Sequence, residues 1–416
     1  MKSDPTETAG GSGRRGVPLW AEALGVTLLM QTASSFTAQA MPVIGPTLTA
    51  AAGVRYEIVG HLASVASLGT LWFLMGGTRM VAEMGPVRLL QWGAAVSAAA
   101  LLLPLAGSWT TMLAAGLLVG LGYGPAPPAG SELLMRHAPA RHRALIFSAK
   151  QSGAPLGAAI AGFVLPLAAS NLGWRWALVL AAAYALLCAV AVEPFRRRID
   201  WRQAGLRPAL LKPLASPAML AAPFRILGAA PALVRLSYVG FALAVVQGSL
   251  FAIFVTFLAT GLGFDLTRAG TAFAVLQVAG AAARIGVGWL ADRLGSPIAT
   301  LVALALGGAL MMGVVAAMSA AWPWPLILLA SAATGILAAS WNGILLAEVA
   351  RLAPEGRIGE ATSSAVFFTF IGYVVGPAGF TAILLAAGYP TAFLAIGALP
   401  LSAALALLVG GRRKRR

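Results

Sequence analysis

Long apolar runs, separated by short polar or Gly/Pro-bearing turns, repeat along nearly the whole chain. In stretches such as 98–105 and 303–317 the apolar positions follow one another without a break. Strands of a membrane β-barrel would alternate apolar and polar residues, so the continuous runs predict helices. One crossing of a bilayer takes about 20 apolar residues in helical form. The pattern predicts twelve crossings, at 19–51, 58–81, 87–106, 109–134, 144–169 and 174–192, then 233–260, 266–291, 298–319, 324–349, 359–387 and 389–409. The expected fold class is an all-α membrane protein of twelve transmembrane helices in two pseudo-symmetric six-helix bundles.

Composition supports this pattern. Of 416 residues, 59% are hydrophobic and only 10% are charged. A soluble domain carries roughly 25% charged residues, so a water-soluble fold is excluded. The formal charge of +16 comes from 29 basic and 13 acidic residues. The basic residues cluster in short loops and tails, as at Arg196, Arg197 and Arg198 and at 412–416. That placement reads as membrane topology, and nucleic acid is not an expected partner. With the N-terminus in the cytoplasm, only Arg55, Arg175 and Arg268 fall at outer helix ends, leaving 26 of the 29 bases on the inner side. Both termini are therefore expected in the cytoplasm. The polar, Gly/Ser-rich stretch 3–16 lacks the apolar core of a cleavable signal, so the first apolar segment should remain as an anchor. The single cysteine, Cys188, permits no intramolecular disulfide.

The chain divides at its one long connection. Residues 196–231 hold seven bases and prolines at 208, 213, 217, 223 and 231. This segment reads as a linker on an anionic inner leaflet, with an interfacial helix near 219–227. The expected units are an N-terminal tail at 1–16, a bundle at 17–195, the linker at 196–231, a second bundle at 232–410 and a basic tail at 411–416. The two bundles repeat one another. Gly60 and Gly270 are 210 apart, as are Gly85 and Gly295. Arg136 and Arg351 are 215 apart, as are Pro139 and Pro354, Gly157 and Gly372, and Gly173 and Gly388. Parallel repeats about an axis along the membrane normal are a transporter architecture, with the binding site between the halves.

The residues resemble the major facilitator superfamily. Gly288-Trp-Leu-Ala-Asp292-Arg293-Leu-Gly295 matches that family's Gly-x-x-x-Asp-Arg-x-Gly loop at every fixed position. The first-half counterpart, Thr78-Arg79-Met-Val-Ala82-Glu83-Met-Gly85, lacks the first glycine and has its acid shifted by one place. Gly153-Ala-Pro155-Leu-Gly157, Gly376-Pro377 and Gly173-Trp174-Arg175-Trp176 are similar to segments of helices five, eleven and six in the family. The resemblance covers nearly the whole chain and implies the fold and alternating access, not the substrate.

Charges at the inner helix ends are candidate gate residues: Glu132, Arg136 and Arg143 in the first half, Glu348, Arg351 and Arg357 in the second, with Asp292 and Arg293 beside Gly288 and Gly295. Ion pairs among them would hold the inner end closed, and breaking them would shift the population toward an inward-open state. The competing reading is solvated interfacial charge.

Two bases inside helices are candidates for substrate contact, because charge within a span is costly. Lys150 and Arg284 lie at similar depths in helices five and eight, which adjoin across the halves in this fold. Two cations in one cavity would bind an anion, Arg284 gripping a carboxylate bidentately and Lys150 adding a point charge. The competing reading is snorkelling of both toward the inner headgroups. Arg284 resembles the helix-eight arginine of monocarboxylate and oxalate–formate transporters. The sequence departs from the former in having Gly280 one turn earlier, and from the latter in having no base within 364–373. The run beginning Lys150-Gln151 is similar to one in cyanate-type anion transporters. No acid lies near the middle of any span, which argues against a cationic substrate. Polar lining candidates are Gln39, Gln247, Gln151, Tyr123, Gln277, Asn342 and Tyr373, with Gln31, Ser35 and Trp341 beside them. Each has interhelical hydrogen bonding as its competing role. His61 is a candidate titrating group near the outer end of helix two.

The sequence thus points to a secondary transporter for a small organic anion, a carboxylate foremost, by proton symport or anion exchange. The alternatives are efflux of a neutral or amphipathic compound, and a transporter-like receptor that moves nothing. No Ser/His/Asp set, metal-ligand cluster or nucleotide-binding motif suggests an enzyme, and no cofactor is expected. The expected setting is a bacterial inner membrane, with a monomeric chain.

Overall fold

The structure is a computed structural model that describes residues 18–77, 79–201, 224, 231–355 and 357–412, with only the backbone described at Ala140, Arg143, Ala144, Leu145, Asp292, Leu294 and 410–412. The first half contains α1 (Leu19–Val43), α2 (Gly45–Ala51), α3 (Gly60–Gly76), α4 (Arg79–Met84), α5 (Pro86–Ala100), α6 (Trp109–Tyr123), α7 (Ala126–His137), α8 (Arg143–Gln151), α9 (Gly153–Leu172), α10 (Trp174–Ala191) and α11 (Glu193–Ile199). The second contains α12 (Pro231–Thr256), α13 (Leu266–Leu294), α14 (Pro297–Ala316), α15 (Trp324–Ala338), α16 (Asn342–Leu352) and α17 (Ile358–Arg412). Helices suit these sequences because a chain in hydrocarbon must satisfy its own backbone groups.

Among the described residues, nine helical segments are long and apolar enough to cross a membrane. The segment 358–409 is two crossings, because Gly388 interrupts α17 with φ 79°. Adding α1 and the pair α6–α7 makes twelve, as the hydrophobic pattern predicts. Several crossings are built of two pieces: α6–α7 bends at Gly124–Pro125, α8–α9 at Ser152, and α15–α16 at Ala339–Trp341.

The repeat read from the sequence is present in three dimensions. Gly173 and Gly388, 215 residues apart, both take positive φ (89° and 79°) and start the last crossing of their half. A side chain there would be strained, which explains glycine at both positions. A Cβ at Gly157 would strike the carbonyl of Thr32 on α1, and one at Gly372 would meet the carbonyl of Phe241 on α12 at 2.5 Å. Small residues thus bring equivalent helices together in each half, as in other membrane helix contacts. Within the first half α1 packs on α9, α7 and α10; within the second α17 packs on α12 and α14. Between the halves, α9 lies against α13 and α3 against α17.

One expectation is corrected here. The linker expected from residue 196 on the inner leaflet does not begin directly after the sixth crossing. Residues through Trp201 are folded onto the first half, as α11 and the turn following it. The expected interfacial helix at 219–227 lies outside the described residues apart from Phe224, whose ring packs edge-on to Phe367 and Phe368 at 5.8 and 5.3 Å.

Candidate functional site: a cavity between the two halves

Polar residues spaced by one or two turns in otherwise apolar helices converge on one cavity. It has a volume of about 310 Å³ and is lined from both halves. From α1 come Gln31, Ser35 and Gln39, a spacing of four that keeps them on one helix face. Tyr123 ends α6, and Gln151 ends α8. From the second half come Gln247 of α12, Gln277 and Arg284 of α13, Trp341 and Asn342 at the α15–α16 break, and Tyr373 of α17. The sequence reading did not find Phe251 and Phe370, which give the cavity an aromatic wall. Each lies one helical turn from a polar candidate, Gln247 and Tyr373 respectively. That spacing was the available signal.

Arg284 is the one charged side chain among the described residues that line the cavity. Its Nε donates to the carbonyl of Ala339 at 3.2 Å. Ala339 sits where α15 stops, so the break in the helix presents that carbonyl to the guanidinium. Among the described residues, the cavity wall contains no carboxylate to neutralise Arg284. Around it, the Gln247 carbonyl oxygen accepts from the Tyr373 hydroxyl at 3.2 Å and from Asn342 Nδ2 at 3.4 Å. Across the cavity, Gln31 Nε2 donates to the Tyr123 hydroxyl at 3.4 Å. Several buried polar atoms here have no partner: Gln31 Oε1, Gln39 Oε1, Gln277 Nε2 and the indole Nε1 of Trp341. Orphaned polar atoms in a cavity wall are costly unless a ligand or water meets them.

Lys150 departs from the sequence expectation. It does not line the cavity with Arg284. Its side chain is 1% exposed and turns into the first half, with Cε and Nζ above Gly130 of α7. Its neighbour Gln151 faces the cavity instead; successive helical residues point about 100° apart, so the two cannot share one direction. Burial at this depth also excludes snorkelling to the surface. His61 lies at the start of α3, where its Nδ1 is 3.0 Å from the carbonyl of Ile58, away from the cavity.

The halves meet tightly at one end of the cavity. A Cβ at Gly60 would lie 2.6 Å from the carbonyl of Pro377 and 2.5 Å from the Thr381 hydroxyl, and one at Gly270 would strike the carbonyl of Gly162. The Thr381 hydroxyl also donates to the carbonyl of Glu57 at 3.1 Å, joining α17 to the segment before α3.

Comparison with known proteins places this geometry. The family model described as Major Facilitator Superfamily matches residues 24–377. The chain belongs to the Major Facilitator Superfamily. An uncharacterized MFS-type transporter of Mycobacterium tuberculosis (strain CDC 1551 / Oshkosh) is 27% identical over 412 residues, covering 97% of this chain and 86% of the relative. The 4-hydroxybenzoate transporter PcaK of Pseudomonas aeruginosa is 31% identical over 159 residues, 37% of this chain and 34% of that protein. Among solved structures, a peptide transporter POT in complex with sulfate superposes with a TM-score of 0.73 at 16% identity, covering 96% of each chain. A bacterial homolog of the human lysosomal transporter Spinster, in an inward-facing and unoccupied conformation, gives 0.69 at 16% identity over 95% of this chain and 96% of that one. At these identities the structures establish a shared fold. The protein is a multi-pass membrane transporter of the Major Facilitator Superfamily.

The gate candidates of this Major Facilitator Superfamily chain lie at the opposite end from Gly60 and Thr381, and their ion pairs stay within one half. Arg351 bonds Glu348 at 2.6 Å within α16, and Arg357 bonds Glu360 at 2.6 Å at the start of α17. The expected Glu132–Arg136 pair is not formed: Glu132 is exposed, and the Arg136 guanidinium lies 4.5 Å over the ring of Trp201. Arg293 lies 4.8 Å over the ring of Trp289, which is exposed. Gly288 has open space around it, and Gly295 ends the loop motif with φ 60°. The side chains of Asp292 and Arg143 lie outside the described residues. A network of pairs bridging the halves is therefore absent among the described side chains at this end.

A different set of contacts, absent from the sequence reading, ties this end of the first half together. Asp200 accepts from the amides of Val87 and Arg88 at 3.1 Å each, capping the N-terminus of α5. Arg198 bonds Glu22 of α1 at 2.6 Å, and His137 Nε2 of α7 is 3.0 Å from the carbonyl of Ile199. Glu193 accepts from Arg196 at 2.8 Å and from Gln91 of α5 at 2.8 Å. These bonds, that from Arg196 first, hold the Glu193 carboxyl down at about 2. Burial instead pushes the Asp200 carboxyl up, against the three backbone amides that favour its charged form.

Proposed function

We propose that this transporter carries a small organic anion, a carboxylate, across the cytoplasmic membrane by alternating access. The observation that carries the reading is Arg284: among the described residues it is the single guanidinium lining the cavity between the halves, with no acid beside it. Charge in such a place is retained when it has work to do on a ligand. The Ala339 carbonyl occupies Nε and leaves the two terminal nitrogens to grip a carboxylate in bidentate fashion. Trp341 Nε1 and Gln277 Nε2 are unpartnered donors in the same wall and suit the same anionic group. Phe251, Phe370 and Tyr373 fit an organic body on that group. The partial similarity to a transporter named for 4-hydroxybenzoate supports the same class.

The basic loops and tails support a reading with both termini in the cytoplasm of a bacterium. With that orientation, the sealed end bearing Gly60 and Thr381 faces outward, and the conformation described is inward-facing. Substrate would then exchange with the cytoplasm in this state and with the outside once the halves rock apart at Gly60 and Gly270.

Counterflow in proteoliposomes tests the reading. Wild type preloaded with benzoate or 4-hydroxybenzoate should take up the labelled compound, and Arg284→Ala should not. Uptake of lipophilic cations or neutral solutes alone, equal in both proteins, contradicts it.

A further inference from the structure

Lys150 is the one basic side chain among the described residues that is fully buried. An ammonium removed from water is expensive unless it is paired with an acid or gives up its proton. No acid pairs with it among the described residues. Nζ reaches only two neutral oxygens, the Pro127 carbonyl at 3.5 Å and Gln151 Oε1 at 3.4 Å. Both distances are long for a charged donor, whose bonds to oxygen run to about 2.7–2.9 Å.

The surroundings offer no substitute. On α1, Lys150 is near Thr27, while Glu22 is held by Arg198 at 2.6 Å. On α7, Glu132 is exposed, Arg136 stacks on Trp201 and His137 bonds the Ile199 carbonyl. Arg141 and His142, before α8, are exposed. The Arg143 side chain, on the same helix as Lys150, lies outside the described residues. α9 carries no titratable residue. Tyr123 is bonded to Gln31, and Arg284 faces the cavity from the other half. Yet Lys150 is one residue removed from the cavity, because both of its oxygen partners belong to residues that line it.

We propose that Lys150 is the proton-coupling residue of this transporter. The inference rests on the anion reading above. The empty carrier holds Lys150 as a neutral amine, which its buried site, without an acid among the described residues, accommodates. When the carboxylate binds at Arg284, an O–H bond of a hydronium ion supplied by the water-filled cavity breaks, the amine lone pair forms a new N–H bond with that proton, and neutral water is left. The positive charge gained offsets the negative charge of the anion. On release the N–H bond breaks, and the proton returns to water with the departing anion. The cycle then moves one proton with each monovalent anion and no net charge, so the membrane potential does not oppose entry of the anion.

Proteoliposomes separate exchange from coupling, with labelled 4-hydroxybenzoate and benzoate as the probes. Counterflow reports anion exchange, and net uptake with the outside one pH unit more acidic reports coupling. One-to-one symport supports about tenfold accumulation under that gradient. The proposal predicts that wild type reaches it. Lys150→Arg keeps a fixed charge and Lys150→Gln keeps none, so in both the ratio of accumulation to counterflow should collapse to that of uncoupled equilibration. Gradient-driven accumulation by Lys150→Arg at the wild-type ratio overturns the proposal. Wild-type counterflow without gradient-driven accumulation overturns it as well and leaves the anion reading standing. Absence of counterflow of either probe in wild type overturns the anion reading, and the coupling proposal with it.

Discussion

Arg284 on α13 donates from Nε to the carbonyl of Ala339, 3.2 Å away at the end of α15. The bond fixes the plane of the guanidinium, so its two terminal nitrogens are oriented before any ligand arrives. Pre-orientation of this kind lowers the entropy lost on binding.

Arg284→Lys keeps the charge and removes the fork. Loss of one charge-assisted hydrogen bond costs about 1.5–3 kcal/mol, equivalent to roughly 10- to 150-fold in affinity. The Kd for a bound carboxylate, measured by calorimetry in detergent, should weaken by that factor in Arg284→Lys and further in Arg284→Ala. Equal affinities in wild type and Arg284→Lys would place the carboxylate elsewhere.

Gly270 and Gly162 face one another where α13 crosses α9, with no room for a side chain. Gly270→Val should therefore destabilise the conformation described and favour the one in which this end opens. Overpacking costs about 1–3 kcal/mol, enough to shift a two-state population by roughly 5- to 150-fold. Spin labels at positions 54 and 386, in a Cys188→Ser background, should show a longer distance in Gly270→Val than in its parent. An unchanged distance distribution would mean that the contact is not part of the closed end.

Glu193 lies outside the spans, on α11, and its folded pKa of about 2 is held below the ordinary carboxylate value chiefly by the hydrogen bond from Arg196 and next by that from Gln91. A lowered folded pKa contributes stability above the unfolded value of about 4.3 and loses it as pH falls toward the folded value. Glu193→Gln should accordingly lower Tm at pH 7, and the gap to wild type should narrow as pH falls below about 4.5. A gap that stays constant down to pH 3 would mean that the Glu193 charge does not hold α11 in place.

Asp200 caps α5, and replacing an acidic cap with alanine costs about 1 kcal/mol. Asp200→Ala should reduce Tm and should expose the amides of Val87 and Arg88 to faster hydrogen exchange. Unchanged exchange at those two positions would contradict the cap.

The sequence made much of the fold and cavity readable for one reason: in hydrocarbon, a polar residue inside a helix needs a purpose. Gln31, Ser35 and Gln39 stood out as polar residues within a membrane span, and their spacing of four is what puts them on one face of α1. The 215-residue offset of Gly173 and Gly388 anticipated the shared positive φ at both. Depth along a helix was also readable, which is why Lys150 and Arg284 looked equivalent. Azimuth was not. Whether Lys150 or Gln151 faces the cavity depends on how α8 is rotated against α1 and α7, and the break at Ser152 sets that rotation locally. Asp200 was invisible as a cap because its partners Val87 and Arg88 are 113 and 112 residues away. Glu132 and Arg136 have the spacing of an ion pair, yet the ring of Trp201, distant in sequence, took the arginine.

Ligand-induced thermal stabilisation of the purified protein tests the central claim most directly. Benzoate, 4-hydroxybenzoate and short-chain carboxylates should be compared with inorganic anions, neutral solutes and lipophilic cations, on wild type and Arg284→Ala in parallel. A ligand that binds the folded state at about 100 times its Kd stabilises it by about 2.7 kcal/mol. The account predicts that an organic carboxylate raises the Tm of wild type and fails to raise that of Arg284→Ala. Stabilisation by cations or neutral amphiphiles alone, equal in the two proteins, would contradict it.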